Sequence, residues 1–168
     1  KRVPVIAGTG SNDTAYAIEL TKYACEVGAD AMLLVTPYYN KTSQTGLVTH
    51  YNYIADRVSK PIILYNVPSR TGVNIKPETY KQLSKHQNIV ATKEASGDLS
   101  LIAEIKYLCG DDLDIYSGND DQTIPIMSLG GIGVISVLSN VAPKVMHDIC
   151  ELYLNGYTQA ATELHLKH

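Results

Sequence analysis

Lys93 ends the apolar run Ile89-Val90-Ala91-Thr92, and Tyr65 ends the run Pro61-Ile62-Ile63-Leu64. A lysine whose stem rises out of an apolar interior has its charged form disfavoured. Its neutral amine can then add to a carbonyl carbon and form a Schiff base. A phenol one or two strands away can carry a proton to and from that reaction. Arg70 sits in the stretch Pro68-Ser69-Arg70-Thr71-Gly72, where a guanidinium suits two-point recognition of a carboxylate. Each residue also has a plain structural use. Lys93 can reach solvent or pair with Glu94, Tyr65 can pack its ring and cap a backbone group, and Arg70 can lie on the surface.

The elements that must position these groups repeat along the chain. Strand-like apolar runs fall at residues 3–7, 31–35, 61–65, 89–92, 114–116 and 133–137. They are short, rich in leucine and β-branched residues, and lack clean alternation, as expected of strands buried on both faces. Helix-like stretches follow at 13–27, 47–58, 77–85, 99–108, 122–129, 144–155 and 158–167. Asn12 is the expected cap of the first, and glycines at 28, 110, 130 and 156 follow helix ends. Pro77 sits near the first turn of its helix, a favoured site.

Strand–helix units that recur about every 28 residues argue for parallel β/α architecture with the helices outside the sheet. A closed barrel needs eight such units, and six are counted, so the sheet is either open and doubly wound or part of a barrel. The chain begins without methionine directly inside a strand-like run, which favours part of a barrel. A barrel short of two strands is expected to expose two sheet edges and part of its interior.

In both architectures ligands bind at the C-terminal ends of the strands. The residues there are Gly8–Asn12, Thr36–Asn40, Tyr65–Gly72, Lys93–Gly97, Ser117–Asp120 and Ser139-Asn140, so the reactive groups gather on one rim. Gly8-Thr9-Gly10 is no dinucleotide fingerprint, because Asp13 stands where the third glycine belongs. Gly130-Gly131-Ile132-Gly133 precedes its strand and reads as a tight turn. The five histidines form no strong ligand spacing, and His165-x-x-His168 reads as a solvated helix face, so no metal is expected.

With 168 residues, 45% of them hydrophobic, the chain can bury a real core. Fourteen basic against 17 acidic residues leave a net charge of -3, with no basic excess toward nucleic acid or a membrane surface. No apolar run approaches the roughly 20 residues that span a bilayer. Cys25, Cys109 and Cys150 match no CxxC motif, and free thiols on helix-like segments point to a reducing compartment, hence the cytoplasm.

Five stretches in order, Pro4–Gly10, Thr36–Asn40, Tyr65–Gly72, Lys93–Gly97 and Gly133–Val137, resemble the dihydrodipicolinate synthase / N-acetylneuraminate lyase family of class I aldolases. The resemblance runs through the whole chain. It implies a partial TIM (β/α)8 barrel holding strands three to eight over residues 1–143, with the start of a C-terminal helical extension over 144–168. It implies a Schiff base between Lys93 and pyruvate, with Tyr65 and Tyr39 as proton relays, Tyr39 reaching into a neighbouring subunit's site. Arg70 would hold the carboxylate of L-aspartate-4-semialdehyde, and Gly118 and Ile135 would line the pocket. The reaction implied is the condensation of those two substrates on the route to lysine, in a homo-oligomer and without a cofactor, since the lysine supplies the electron sink. Other readings are a sialic acid or keto-sugar acid lyase of the family, or a truncated chain without catalysis. Gly10, Asn12 and Tyr38 match positions of a lysine-binding effector site, whose expected glutamate is replaced by Tyr16. The strand carrying the family's Thr-Thr pair has no counterpart in the chain.

Overall fold

The computed structural model describes residues 2–168. Six strands form one parallel sheet in sequential order: β1 (Ile6–Gly8), β2 (Ala31–Val35), β3 (Ile62–Asn66), β4 (Ile89–Glu94), β5 (Asp114–Ser117) and β6 (Gly133–Val134). The helices between and after them are α1 (Thr14–Glu26), α2 (Gln44–Ala55), α3 (Pro68–Thr71), α4 (Pro77–Leu83), α5 (Leu99–Cys109), α6 (Thr123–Ser128), α7 (Pro143–Leu154) and α8 (Thr158–His165). This is the strand order of a (β/α) barrel opened along one side, not of a doubly wound sheet, whose order would reverse at a switch point. Among the described residues β1 and β6 each pair on one side only, and Val5 and Ile6 are about half exposed (47% and 46%).

Alternation along the strands decides which residues meet the helices. Leu34, Ile62, Leu64 and Ile115 pack against Leu47, Tyr51 and Ile54 of α2, Tyr80 and Leu83 of α4, and Ile102 and Ile105 of α5. Burying one such side chain fully is worth about 1.5–3 kcal/mol, so this outer layer carries much of the fold's stability. Their strand neighbours Val35, Tyr65, Lys93 and Tyr116 therefore face the barrel interior. These four lie in one row: Val35 pairs with Tyr65, Tyr65 with Lys93, and Lys93 with Tyr116.

The helix starts follow side-chain capping chemistry. Asp13, rather than the expected Asn12, caps α1 by accepting a hydrogen bond from the Tyr16 amide at 3.1 Å. Asn12 instead donates to the Tyr38 carbonyl at 3.0 Å and joins two rim loops. Ser43 caps α2, and Asp98 caps α5 by accepting from the Ser100 and Leu101 amides. Helices α7 and α8 pair with one another and rest on α6. No helix among the described residues is long and apolar enough to cross a membrane.

Candidate active site

Strand β4 carries two chemistries on its two faces. Thr92 and Glu94 point outward and Lys93 points inward, so the alternative of a Lys93–Glu94 pair is not realised. The Glu94 carboxylate accepts hydrogen bonds from the Tyr80 hydroxyl (2.8 Å), the Asn66 amide (3.0 Å) and the Ser96 backbone N–H (2.9 Å). Asn66 also donates to Asn74 Oδ1 at 2.7 Å and accepts from the Ile75 amide at 3.1 Å. Glu94 and Asn66 are 1% and 0% exposed, and burial pushes the Glu94 carboxyl above its ordinary range against the pull of its donors. This network locks the end of β3 to the end of β4, one residue beyond Tyr65 and Lys93. Sequence reading by run ends missed it. The period-two alternation of Thr92, Lys93 and Glu94 was the available signal.

Lys93 is 9% exposed, and its Nζ lies 4.4 Å from the centre of the Tyr65 ring. Burial lowers the lysine from its ordinary value, and the Asp120 carboxylate pulls it partly back. Burial raises the Tyr65 phenol, and the Arg70 guanidinium opposes that rise. Lowering the lysine enlarges the share of neutral, nucleophilic amine. Raising the phenol keeps it protonated and able to donate.

Arg70 lies in the one-turn helix α3, not in an irregular loop. Pro68 starts that turn, and Gly72 ends it in the left-handed region at φ 70°, where a side chain would be strained. The Thr71 hydroxyl accepts from the Val73 amide and fixes the exit. Val35, Tyr38, Tyr65, Val67 and Arg70 line a cavity of about 550 Å³ on the rim, which Lys93 adjoins through the Tyr65 ring. A slightly larger cavity, about 630 Å³, lies beyond Asp120 against α7 and α8. The convergence of titratable groups, not the larger volume, marks the reactive end.

The remaining predicted residues divide. Gly118 donates its amide to the Glu94 carbonyl at 2.8 Å, and a Cβ there would stand 2.7 Å from that of Ala95. Only glycine lets the end of β5 approach β4 this closely. Ile135 donates its amide to the Ser117 carbonyl at 2.9 Å and continues the same rim past β6. Tyr39 is 91% exposed, with φ 68°. Gly10 has no room for a side chain, because a Cβ would fall 2.5 Å from the Val35 amide nitrogen. Asn12 is bound back by Asn40, which donates to its carbonyl at 3.1 Å. Tyr16 is exposed on α1. Tyr116 and Asp120 belong to the site's surroundings and were not singled out from sequence. Among the described residues no group of three His, Cys, Asp or Glu side chains is placed to hold a metal ion.

A buried strand-end lysine thus lies against a phenol ring on the C-terminal rim of a partial TIM barrel. The chain belongs to the Dihydrodipicolinate synthetase family, whose pattern matches residues 1–168. It is 57% identical over 166 residues to the 4-hydroxy-tetrahydrodipicolinate synthase of Clostridium novyi (strain NT), covering 99% of this chain and 56% of that protein. It is 62% identical over 166 residues to the same-named protein of Clostridium tetani, covering 98% of this chain and 56% of the relative. Among solved structures, the dihydrodipicolinate synthase of Thermotoga maritima superposes with a TM-score of 0.96 at 45% identity, over 99% of this chain and 58% of that one. The Acinetobacter baumannii dihydrodipicolinate synthase, solved in complex with pyruvate, superposes with a TM-score of 0.96 at 47% identity, over 99% and 57%. The chain thus spans a little over half the length of the relatives it matches.

Proposed function

We propose that this chain carries the Schiff-base part of a site that condenses pyruvate with L-aspartate-4-semialdehyde to 4-hydroxy-tetrahydrodipicolinate. The observation that carries the reading is the placement of Lys93 Nζ, buried and 4.4 Å from the centre of the Tyr65 ring, which itself lines a cavity together with Arg70. Neutral Lys93 adds to the keto carbon of pyruvate. Loss of water gives the imine, and loss of a methyl proton gives the enamine. The enamine carbon attacks the semialdehyde's aldehyde carbon, and the substrate's own amine then displaces the lysine as the ring closes. No cofactor enters, because the protonated imine draws the electrons that the new carbanion centre releases.

Tyr65 moves protons at the carbinolamine, and Arg70 holds the semialdehyde carboxylate. Gly118 and Ile135 bring backbone close to the bound pyruvate. The exposure of Tyr39 supports a role across a subunit interface, as a second relay in a homo-oligomer. Gly10, Asn12 and Tyr38 form an effector site for lysine, weakened by Tyr16 in place of a carboxylate. Residues 1–143 are the barrel segment and 144–168 the start of a helical extension, a division supported by the mutual packing of α7 and α8. Three free cysteines support a reducing, cytoplasmic setting.

The test is incubation with pyruvate, borohydride reduction, and mapping of the adduct by mass spectrometry. A pyruvyl adduct on Lys93, absent from Lys93→Ala, is the expected result. A folded chain that acquires no adduct, or acquires it on another lysine, overturns the reading.

A further inference from the structure

Tyr38 and Arg70 line the same cavity from two different connections, residues 36–43 between β2 and α2 and residues 67–76 between β3 and α4. The second connection closes on itself. At the end of β3 the Asn66 side chain accepts from the Ile75 amide at 3.1 Å and donates to Asn74 Oδ1 at 2.7 Å. What holds this closed loop from outside is Gln44, the first residue of α2. Its Nε2 donates to the Asn74 carbonyl at 2.8 Å, and its Oε1 accepts from the Lys76 amide at 3.0 Å and the Thr79 hydroxyl at 2.7 Å. Thr79 is buried, so water does not readily replace that acceptor. A second contact runs between the same two connections: the Lys41 stem lies across Gly72, its Cε 2.9 Å from where a Cβ would stand. Helix α2 does not need the Gln44 amide for its own start, because the Ser43 hydroxyl already accepts from the Gly46 amide.

We infer that Gln44 is a positioning residue for Arg70: by holding residues 74–79 against the start of α2, it sets where the guanidinium stands across the cavity from Tyr38, and so how well the site takes the semialdehyde's carboxylate. This rests on the carboxylate role given to Arg70 above. A planar guanidinium makes two-point contact with a carboxylate in one relative orientation, so a shift of about 1 Å in its support is felt by the substrate. Arg70 stands on a single turn, α3, whose only length of chain back to the sheet runs through Val67 on one side and through the segment Gln44 holds on the other. Asn66 also braces that loop, but its amide bonds Glu94 as well, so its loss would disturb β4 and Lys93 together. Every side-chain hydrogen bond of Gln44 among the described residues runs to Asn74, Lys76 or Thr79, and none reaches β3 or β4. Its effect on Arg70 is therefore separable from the alignment of Tyr65 with Lys93.

The experiment follows phenylglyoxal modification of Arg70, an exposed residue, by mass spectrometry at increasing concentrations of 4-hydroxybutyrate. This probe has the semialdehyde's chain and carboxylate, with an alcohol in place of the aldehyde and no amine, so it neither condenses nor forms an imine. In wild type it should protect Arg70. In Gln44→Ala the concentration for half protection should rise about tenfold, the scale of one misaligned charge-assisted hydrogen bond. Gln44→Glu keeps an acceptor for Lys76 and Thr79 and loses the donor to Asn74, so it should fall between the two. It carries the test if Gln44→Ala does not fold. Competitive acetylation of Lys93 by acetic anhydride, which needs no pyruvate, should match wild type in both variants, whereas a general loosening of the fold would change both readouts together. Wild-type protection in a folded Gln44 variant overturns the inference, and so does a matched change in Lys93 acetylation. Absence of protection in wild type overturns the carboxylate role of Arg70 and the inference with it. Neither readout uses pyruvate, so the adduct experiment alone decides the Schiff-base reading.

Discussion

Lys93 and Tyr65 are register partners on adjacent parallel strands, and the ammonium nitrogen lies 4.4 Å from the centre of the phenol ring. The ring face stabilises the protonated amine, while burial disfavours it. The same side chain that steadies the lysine also presents a hydroxyl on the rim. These two roles separate on substitution.

Tyr65→Phe keeps the ring and removes the hydroxyl. The pyruvate adduct on Lys93 should still form, at a rate lower by about 10² if the phenol is the proton carrier. Quenching with borohydride at successive times and counting adduct by mass gives the rate. A rate equal to wild type would assign proton transfer to another group.

Arg70→Ala should leave imine formation within about threefold of wild type while the condensation with the semialdehyde falls about 10²-fold, the scale of one charge-assisted hydrogen-bonded pair. The physical reason is place. Arg70 lines the cavity with Tyr38, Tyr65 and Val67, while Lys93 is buried and is not part of that lining. Parallel assays of adduct formation and of product formation separate the two steps. Equal losses in both would move Arg70's role to the pyruvate end of the site.

How much of this was legible in the sequence depends on what each residue answers to. Strand β2 follows its apolar run, residues 31–35, because nothing polar interrupts it. The first apolar run spans 3–7, but the strand is Ile6–Gly8, because the Asp30 side chain takes the Val5 amide at 2.7 Å. The fourth apolar run ends at Thr92, yet β4 continues through Glu94, because Asn66 and Tyr80 satisfy a buried carboxylate that composition alone assigns to a rim. The sixth run spans 133–137 in the sequence, yet β6 stops at Val134; the Ile135 amide still reaches the Ser117 carbonyl, and the Val137 and Leu138 amides turn to the Asp120 carboxylate instead of the sheet. Lys93, Tyr65 and Arg70 were legible because run ends in this architecture are rim positions. Glu94, Asp120 and Tyr116 were not, because their partners are distant in sequence.

Glu94→Gln should destabilise the chain by about 3 kcal/mol, the cost of disturbing a buried charged acceptor with three donors aimed at it. The new amide must point a donor at the Tyr80 hydroxyl, the Asn66 amide or the Ser96 N–H. Urea unfolding followed by circular dichroism measures the loss. Because the network fixes β3 against β4 in the register that aligns Tyr65 with Lys93, residual folded protein should also form the pyruvate adduct more slowly. Wild-type stability in the variant would show that the carboxylate's bonds are replaceable by neutral ones.

His50 makes the fold sensitive to acid. It sits on α2 at 6% exposure, with Nδ1 2.8 Å from the Thr14 hydroxyl and Nε2 buried without a partner among the described residues. Burial lowers it from 6.5 to about 4, so the folded state keeps the ring neutral while the unfolded chain takes up a proton near 6.5. The unfolded state therefore binds more protons between those two values. His50's contribution is fully present above 6.5 and is lost as pH falls toward 4, an effect of up to about 3 kcal/mol. Urea midpoints of wild type and His50→Gln, measured from pH 7 down to pH 4.5, isolate this one group from the carboxylates common to both. The wild-type curve should fall more steeply than the variant's over that interval, and the difference should vanish above pH 7. Parallel curves would mean that the fold accommodates the protonated ring, with Thr14 turning to accept from Nδ1 and water reaching Nε2.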